Sequence, residues 1–230
     1  MTWDPDEWKG LLEKAAAEGD IPLTALQLTQ CSVHAELLWR WNQKTNLTSI
    51  TRPREMVIKH FIDSMLPGKR LNPGERLIDI GSGGGFPGLP LKIAHPSLSV
   101  TMIDAVRKKV SFLNEVIRTL GLTGIRALHG RVEELGKTMG PDDRYDVAIS
   151  RAFSSLRLFI PLALPLLKPG GRILAMKAKT IDEEVRELAT LRMTLPDGRE
   201  ICGKELHLES WSYALPAAGG KRVLLGIIFP

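Results

Sequence analysis

A short apolar strand, Arg76–Ile80, carries a carboxylate at Asp79 and runs directly into Gly81-Ser82-Gly83-Gly84-Gly85-Phe86-Pro87-Gly88. Glycines at 81, 83 and 85 let the backbone turn sharply and leave room for a ligand where a Cβ would intrude. A strand, a glycine loop and then a helix open a βαβ unit, which commits the chain to a parallel α/β sheet with a ligand at a strand tip. Gly83, Gly85 and Gly88 satisfy G-x-G-x-x-G, a pattern that several nucleotide cofactors share.

Asp79 separates those cofactors. A pyrophosphate over this loop would face a carboxylate and be repelled. S-adenosylmethionine (AdoMet) carries an ammonium and a sulfonium but no phosphate, so negative charge favours it. Val100-Thr101-Met102-Ile103 is a second β-rich run ending at Asp104, roughly 20 residues past the loop, where an acid accepts hydrogen bonds from ribose hydroxyls. Asp79, Gly81, Gly83, Gly85, Asp104 and the adjoining Ala105 are the candidate cofactor residues. Each acid has a plainer alternative: Asp79 as a helix N-cap, and Asp104 as the cap of a helix over 105–120.

A chain of 230 residues, 43% hydrophobic and 25% charged, has the make-up of a globular protein with a full core. No apolar run reaches the ~20 residues that span a bilayer. Met1-Thr2-Trp3-Asp4 lacks the basic start and apolar stretch of a secretory leader, so a cytoplasmic location is expected. On that expectation Asn46-Leu47-Thr48, a glycosylation sequon, stays unmodified. Cys31 and Cys202 read as free thiols and the five histidines are scattered, so no metal site is expected. A net charge of +5 is consistent with a polyanionic partner without identifying one.

The pattern divides at residue 65 into an N-terminal helical extension, 1–65, and an α/β domain, 66–230. Asp4-Pro5 opens a helix with Trp8, Leu11, Leu12 and Ala15 as its apolar stripe. A longer helix follows Thr24 with Leu28, Cys31, Ala35 and Leu38 at helical spacing, and Pro53 opens a third with Met56, Val57, Phe61 and Met65 inward. Strands are predicted at 76–80, 99–103, 124–128, 145–150 and 172–177, alternating with helices. One helix is predicted over 155–167, interrupted by Pro161 and Pro165. Lys168-Pro169-Gly170-Gly171 reads as a tight turn into strand five. Thr180-Ile181-Asp182-Glu183 reads as a capping box opening a helix with Val185, Leu188 and Leu191 inward. Strands at 205–213 and 221–229 form a terminal antiparallel hairpin. Seven strands closed this way is the Rossmann-like plan of class I AdoMet-dependent methyltransferases.

Several runs together resemble one family: Trp41-Asn42…Asn46-Leu47-Thr48-Ser49-Ile50, His60-Phe61-Ile62-Asp63-Ser64, Asp79 to Gly88, Arg131-Val132-Glu133-Glu134 and Ser150-Arg151-Ala152-Phe153. That family is the bacterial 16S rRNA guanine-N7 methyltransferases (RsmG, also called GidB or glucose-inhibited division protein B). The resemblance covers nearly the whole length, though from about Asp182 it holds only in plan. It implies cofactor contacts at Gly81, Phe86, Val132, Glu133 and Arg151, and leaves Arg151, Lys177, Asp63 and His60 as candidates for positioning the substrate. Lys177 is followed here by Ala178, where the family often has glycine.

The activity the resemblance implies is methyl transfer from AdoMet, leaving S-adenosylhomocysteine, to N7 of guanine 527 in the 530 loop (helix 18) of 16S rRNA. Naked rRNA or the small ribosomal subunit would be the partner, with no obligate protein partner. Guanine N7 already presents an in-plane lone pair, so no general base is required, only alignment and exclusion of water. Ser150-Arg151-Ala152-Phe153 stands where exocyclic-amine methylators carry an Asn/Asp-Pro-Pro-Tyr loop. Arg107, Lys108 and Lys177 are the candidate phosphate contacts, with Lys109, Lys168, Arg172 and Lys179 near them and Arg52, Arg54, Lys59, Lys69 and Arg70 from the N-terminal region. The same cofactor features suit a methyltransferase for another RNA position or for a non-RNA substrate. A nicotinamide oxidoreductase would use a similar loop but is disfavoured by Asp79.

Overall fold

The computed structural model describes residues 3–151, 153, 155–178, 181–195, 197–217 and 219–230. Helix α1 (Pro5–Glu18) starts where the Asp4 carboxylate accepts the Asp6 and Glu7 N–H groups. Helix α2 (Ala25–Asn42) starts at a reciprocal Thr24–Gln27 capping box, a device worth about 1 kcal/mol. Proline then opens α3 (Pro53–Met56), which widens into a π-helical stretch, Val57–Ile62, and closes as α4 (Asp63–Met65). Such π segments are frequent at functional sites. Here one carries His60, and Asp63 follows directly.

A seven-stranded sheet follows: β1 (Arg76–Ile80), β2 (Ser99–Asp104), β3 (Ile125–His129), β4 (Tyr145–Ser150), β5 (Leu167–Lys177), β8 (His207–Ala214) and β9 (Lys221–Ile228). Its order is β3-β2-β1-β4-β5-β9-β8. The first five strands run parallel, and β9 is antiparallel to both β5 and β8. The last strand therefore sits inside the sheet and β8 forms the edge. Helices α5 (Gly88–Ala94), α6 (Arg107–Leu120), α7 (Val132–Thr138), α8 (Leu156–Ala163) and α9 (Asp182–Leu188) supply the crossovers. A small antiparallel ribbon, β6 (Arg192–Thr194) with β7 (Glu200–Cys202), was not predicted.

Alternating strand residues bury both faces. Leu77, Met102, Val147, Leu174 and Leu224 join Phe112 and Leu113 of α6, and also Trp8, Leu12, Cys31 and Leu38 of the N-terminal helices. Ile78, Ile103, Ala148, Ile173 and Leu225 pack on the other side against Phe159 and Ile160 of α8 and Leu188 of α9. The helices before residue 65 thus contribute to the same core as the sheet.

Three predicted boundaries need correction. Lys168–Gly171 is not a turn leading into β5 but part of it: pairing with β4 slips between Tyr145 and Val147, and the extra residues form an irregularity. Gly170 has φ +75°, and a Cβ on Gly171 would lie 2.9 Å from the Lys168 carbonyl. The predicted 155–167 helix ends at Ala163, two residues after Pro161, and Pro165 falls in a 3₁₀ turn. Helix α9 ends at Leu188, so Leu191 lies beyond it and its carbonyl accepts the Gly203 N–H instead. The predicted Thr180 cap, like Lys179 and Ala152, lies outside the described residues.

Candidate functional site

Strand order reverses between β1 and β4, and open α/β sheets bind ligands outside the carboxyl ends of such neighbours. The glycine loop leaves β1 there, and Arg151 leaves β4. Gly81 (φ +77°) and Gly83 (φ +54°) occupy left-handed backbone, and an added Cβ at either would meet nothing closer than 4.0 Å. They border open space. Gly85 (φ +90°) instead faces inward, where a Cβ would collide with Leu89.

Asp79 is fully buried, and its Oδ2 accepts the Gly88 N–H at 2.9 Å. It thus holds the first N–H of α5 from the end of β1, although the N-cap position itself is Pro87 and not Asp79, and Gly88 is required because a Cβ there would lie 2.8 Å from that oxygen. Among the described residues its Oδ1 has no hydrogen-bond partner. Burial pushes the carboxyl up to about 7, against the Gly88 N–H, Ser82 and the Arg151 guanidinium, with Asp104 adding to the rise. A buried acceptor with no donor is costly, and an ammonium ligand would satisfy this one. The chemistry of the loop fits AdoMet.

Asp104 ties the second strand tip to the same loop. Its Oδ2 accepts the Gly83 N–H at 2.9 Å and its Oδ1 the Val106 N–H at 2.9 Å. Ala105 beside it is exposed, Val132 begins α7 in a buried position, and Glu133 is exposed.

Phe86 is only 4% exposed and lies in a stack. His60 lies parallel to it at 4.4 Å and His34 at 5.0 Å, with the Arg151 guanidinium 5.0 Å from its ring centre. Arg151 Nη1 donates to the Lys59 carbonyl at 2.9 Å and Nη2 to His60 Nδ1 at 3.1 Å. Since Nδ1 accepts, the imidazole proton is on Nε2, which donates to Thr48 Oγ1 at 2.7 Å. Burial first, then Arg151 and His34, lowers the His60 pKa to about 3. Asn42 braces the partner loop: its Oδ1 accepts the Leu47 and Thr48 N–H groups and its Nδ2 donates to the Thr48 carbonyl.

Beside this stack lies a cavity of about 220 Å³ lined by Ile50, His60, Asp63, Arg151, Lys177 and Arg222, among others. Asp63 is 4% exposed, with Tyr213 Oη and Arg222 Nε each 3.4 Å from its carboxylate. Burial raises its pKa, opposed by Arg151 and Arg222. A larger groove of about 690 Å³, lined by Ser212, Tyr213, Lys221 and Arg222, adjoins it through Ala178 and Arg222.

The predicted basic cluster splits. Arg107 and Lys108 are exposed at the start of α6, as are Arg52 and Arg54. Lys109 lies 3.8 Å from Asp104. Lys177 is committed to Glu184 (2.8 Å) and the Phe153 carbonyl, Lys168 to Asp146 (2.7 Å), and Arg172 doubly to Glu75. Phe153 itself stacks on Phe159 at 4.8 Å.

Sequence reasoning missed His34, Tyr213 and Arg222. His34 Nε2 donates to the Gly84 carbonyl at 2.9 Å, and burial lowers its pKa to about 4. Its position three residues after Cys31 and four before Leu38, on the apolar stripe of α2, was the available signal. Tyr213 and Arg222 sit on strands far along the chain and carried none.

The family model described as rRNA small subunit methyltransferase G matches residues 27–200. Curated relatives called ribosomal RNA small subunit methyltransferase G are similar over most of the chain. That from Geobacter sp. (strain M21) is 43% identical over 219 residues, covering 95% of this chain and 96% of the relative. That from Geobacter metallireducens is 40% identical, covering 95% of both. Among solved structures, an O-methyltransferase from Bacillus cereus in complex with SAH aligns with a TM-score of 0.56 and 13% identity over 98% of this chain and all of that one. At that identity it speaks to the fold alone, a class I methyltransferase fold.

Proposed function

The chain belongs to the rRNA small subunit methyltransferase G family, and from that premise we propose that it methylates N7 of guanine 527 in the 530 loop of 16S rRNA, using AdoMet. The observation that carries the cofactor part is the buried Asp79 Oδ1, unpartnered among the described residues, inside a loop whose Gly81 and Gly83 border open space. Bound AdoMet would supply an electrophilic methyl group on a sulfonium.

In this reading Asp79 and Gly81 to Gly85 hold the methionine end, and Asp104 with Ala105, Val132 and Glu133 hold the nucleoside. Phe86 acts from within its stack, as a wall that keeps His60 and Arg151 in place. Arg151, His60 and Asp63 border the space at the β4 tip where a base would lie. None of them has to remove a proton, since N7 reacts through its own lone pair. Their work is alignment and exclusion of water. Arg107 and Lys108 remain the phosphate contacts that this reading favours. Lys177 is tied instead to the Phe153 carbonyl and, through Glu184, to the Leu156 N–H.

Mapping N7-methylguanine in 16S rRNA from cells with and without the gene tests the proposal. The modification at guanine 527 should vanish without the gene and return with purified protein plus AdoMet. Persistence of the mark in the deletion strain, or its loss at a different base, would refute the assignment.

A further inference from the structure

Asp63 is a buried carboxylate that nothing in the reaction needs as a base. Its two partners among the described residues, Tyr213 and Arg222, both stand at 3.4 Å, longer than the 2.7–3.2 Å of good hydrogen bonds. A carboxylate can accept about four hydrogen bonds, so this one is held in place with accepting capacity to spare. It lines the cavity that Arg151 and His60 also border at the end of β4. The adjoining groove, with Lys221, Arg222 and Tyr213 on its wall, has the charge and the aromatic surface that a nucleic-acid strand uses.

If N7 is to meet a methyl donor seated on the 81–88 loop, the N7 and O6 edge of guanine must face that loop. The adjacent Watson–Crick edge, with the N1–H and the 2-amino group, is then left free of the methyl donor. Those two adjacent donors match one carboxylate. We propose that Asp63 reads the target base, accepting hydrogen bonds from N1–H and the 2-amino group of a guanine unstacked into this cavity, an assignment that rests on the N7 reading above. Enzymes that modify a base commonly extrude it and read its Watson–Crick edge in this way. Adenine would bring the N1 lone pair and a C2–H to the same oxygens and is rejected by repulsion and lost hydrogen bonds. Tyr213 and Arg222 hold the carboxylate while the strand runs along the hairpin. The side chain that selects the base thus comes from the N-terminal helices, and its supports come from the last two strands of the sheet.

The test uses 16S rRNA fragments, or reconstituted subunits, with guanosine or inosine at the target position, since inosine lacks only the 2-amino group. For wild-type protein kcat/KM should fall roughly 10- to 100-fold on inosine, the cost of losing a hydrogen bond to a charged acceptor. Asp63→Asn should lower kcat/KM on guanosine RNA and bring the guanosine-to-inosine ratio close to one, while AdoMet affinity by calorimetry stays at the wild-type value. Asp63→Ser gives the same comparison if the Asn variant does not fold. Equal wild-type rates on the two RNAs, or a folded Asp63 variant that keeps the wild-type ratio, overturns the assignment while leaving N7 methylation standing. Wild-type protein that forms no N7-methylguanine on either RNA overturns the N7 reading, and this one with it.

Discussion

Arg151 donates from Nη2 to Nδ1 of His60 at 3.1 Å, which places a permanent cation against an imidazole that must remain neutral. The pair joins the tip of β4 to the π-helical stretch and fixes the imidazole tautomer. It follows that His60 is a structural acceptor and donor, and that protonating it would break the joint.

Acid should therefore destabilise the protein through its buried imidazoles. His60 and His34 have folded pKa values near 3 and 4, against 6.5 unfolded. The unfolded chain binds more protons below pH 6.5, so stability falls as pH drops from there toward 4. The loss at pH 5 is about 2 kcal/mol per imidazole. Urea unfolding at pH 7 and pH 5 would measure it. Asp79 works in the opposite direction over this range, so the fall should be steeper in an Asp79→Asn background. A fall no steeper there refutes the account.

Asp79→Asn should stabilise the cofactor-free protein and weaken AdoMet binding. The Asp79 pKa is raised to about 7, so keeping it ionised costs stability that grows from pH 3.8 upward and levels off above 7. Removing the charge recovers at most about 4 kcal/mol at neutral pH. Affinity for AdoMet should fall roughly 10- to 100-fold, the effect of losing a hydrogen bond to a charged group. Thermal unfolding and calorimetry on one preparation give both readings. Unchanged affinity would remove Asp79 from the site.

Two glycines of the same loop should behave differently. Gly85→Ala drives a Cβ into Leu89 and should lower the melting temperature markedly. At Gly83 an added Cβ meets no protein atom closer than 4.0 Å; the strain of Gly83→Val from positive φ is about 1–2 kcal/mol. Its larger effect should be on AdoMet, whose approach it blocks. Calorimetry showing full AdoMet affinity in a folded Gly83→Val protein would count against the loop as the binding surface.

Neutralising Arg107 and Lys108 should weaken RNA binding and reduce its salt slope by roughly 0.7–0.9 for each lost contact, leaving AdoMet affinity intact. Lys177→Gln should behave differently, lowering stability because Glu184 loses its ion-pair partner. Binding isotherms over a salt series separate the two. If the double variant keeps the parental slope, the RNA-facing surface lies elsewhere.

The single-turnover methylation rate on saturating RNA should vary little from pH 7 to 9, since guanine N7 needs no deprotonation. A rate that climbs tenfold per pH unit would indicate an exocyclic amine or a hydroxyl as the methyl acceptor.

What the sequence determined by itself is local. Period-2 and period-3.6 patterns, proline and glycine punctuation, and the strand–loop–helix around Asp79 specify β1 to β4 nearly to the residue, because each depends on neighbours a few positions apart. The helices before residue 65 were legible for the same reason. Their union with the sheet in one core was not, since Trp8 and Leu12 join the cluster that holds Leu77 and Val147 only through tertiary packing. Lys177 and Arg107 read alike as basic residues, but only the fold shows that Glu184 holds the first while the second stays exposed. Asp63 meets Tyr213 and Arg222 across 150 and 159 positions. No local pattern encodes such a contact, because it forms only when the terminal hairpin inserts β9 beside β5 and brings its first residues over the end of the π-helical stretch.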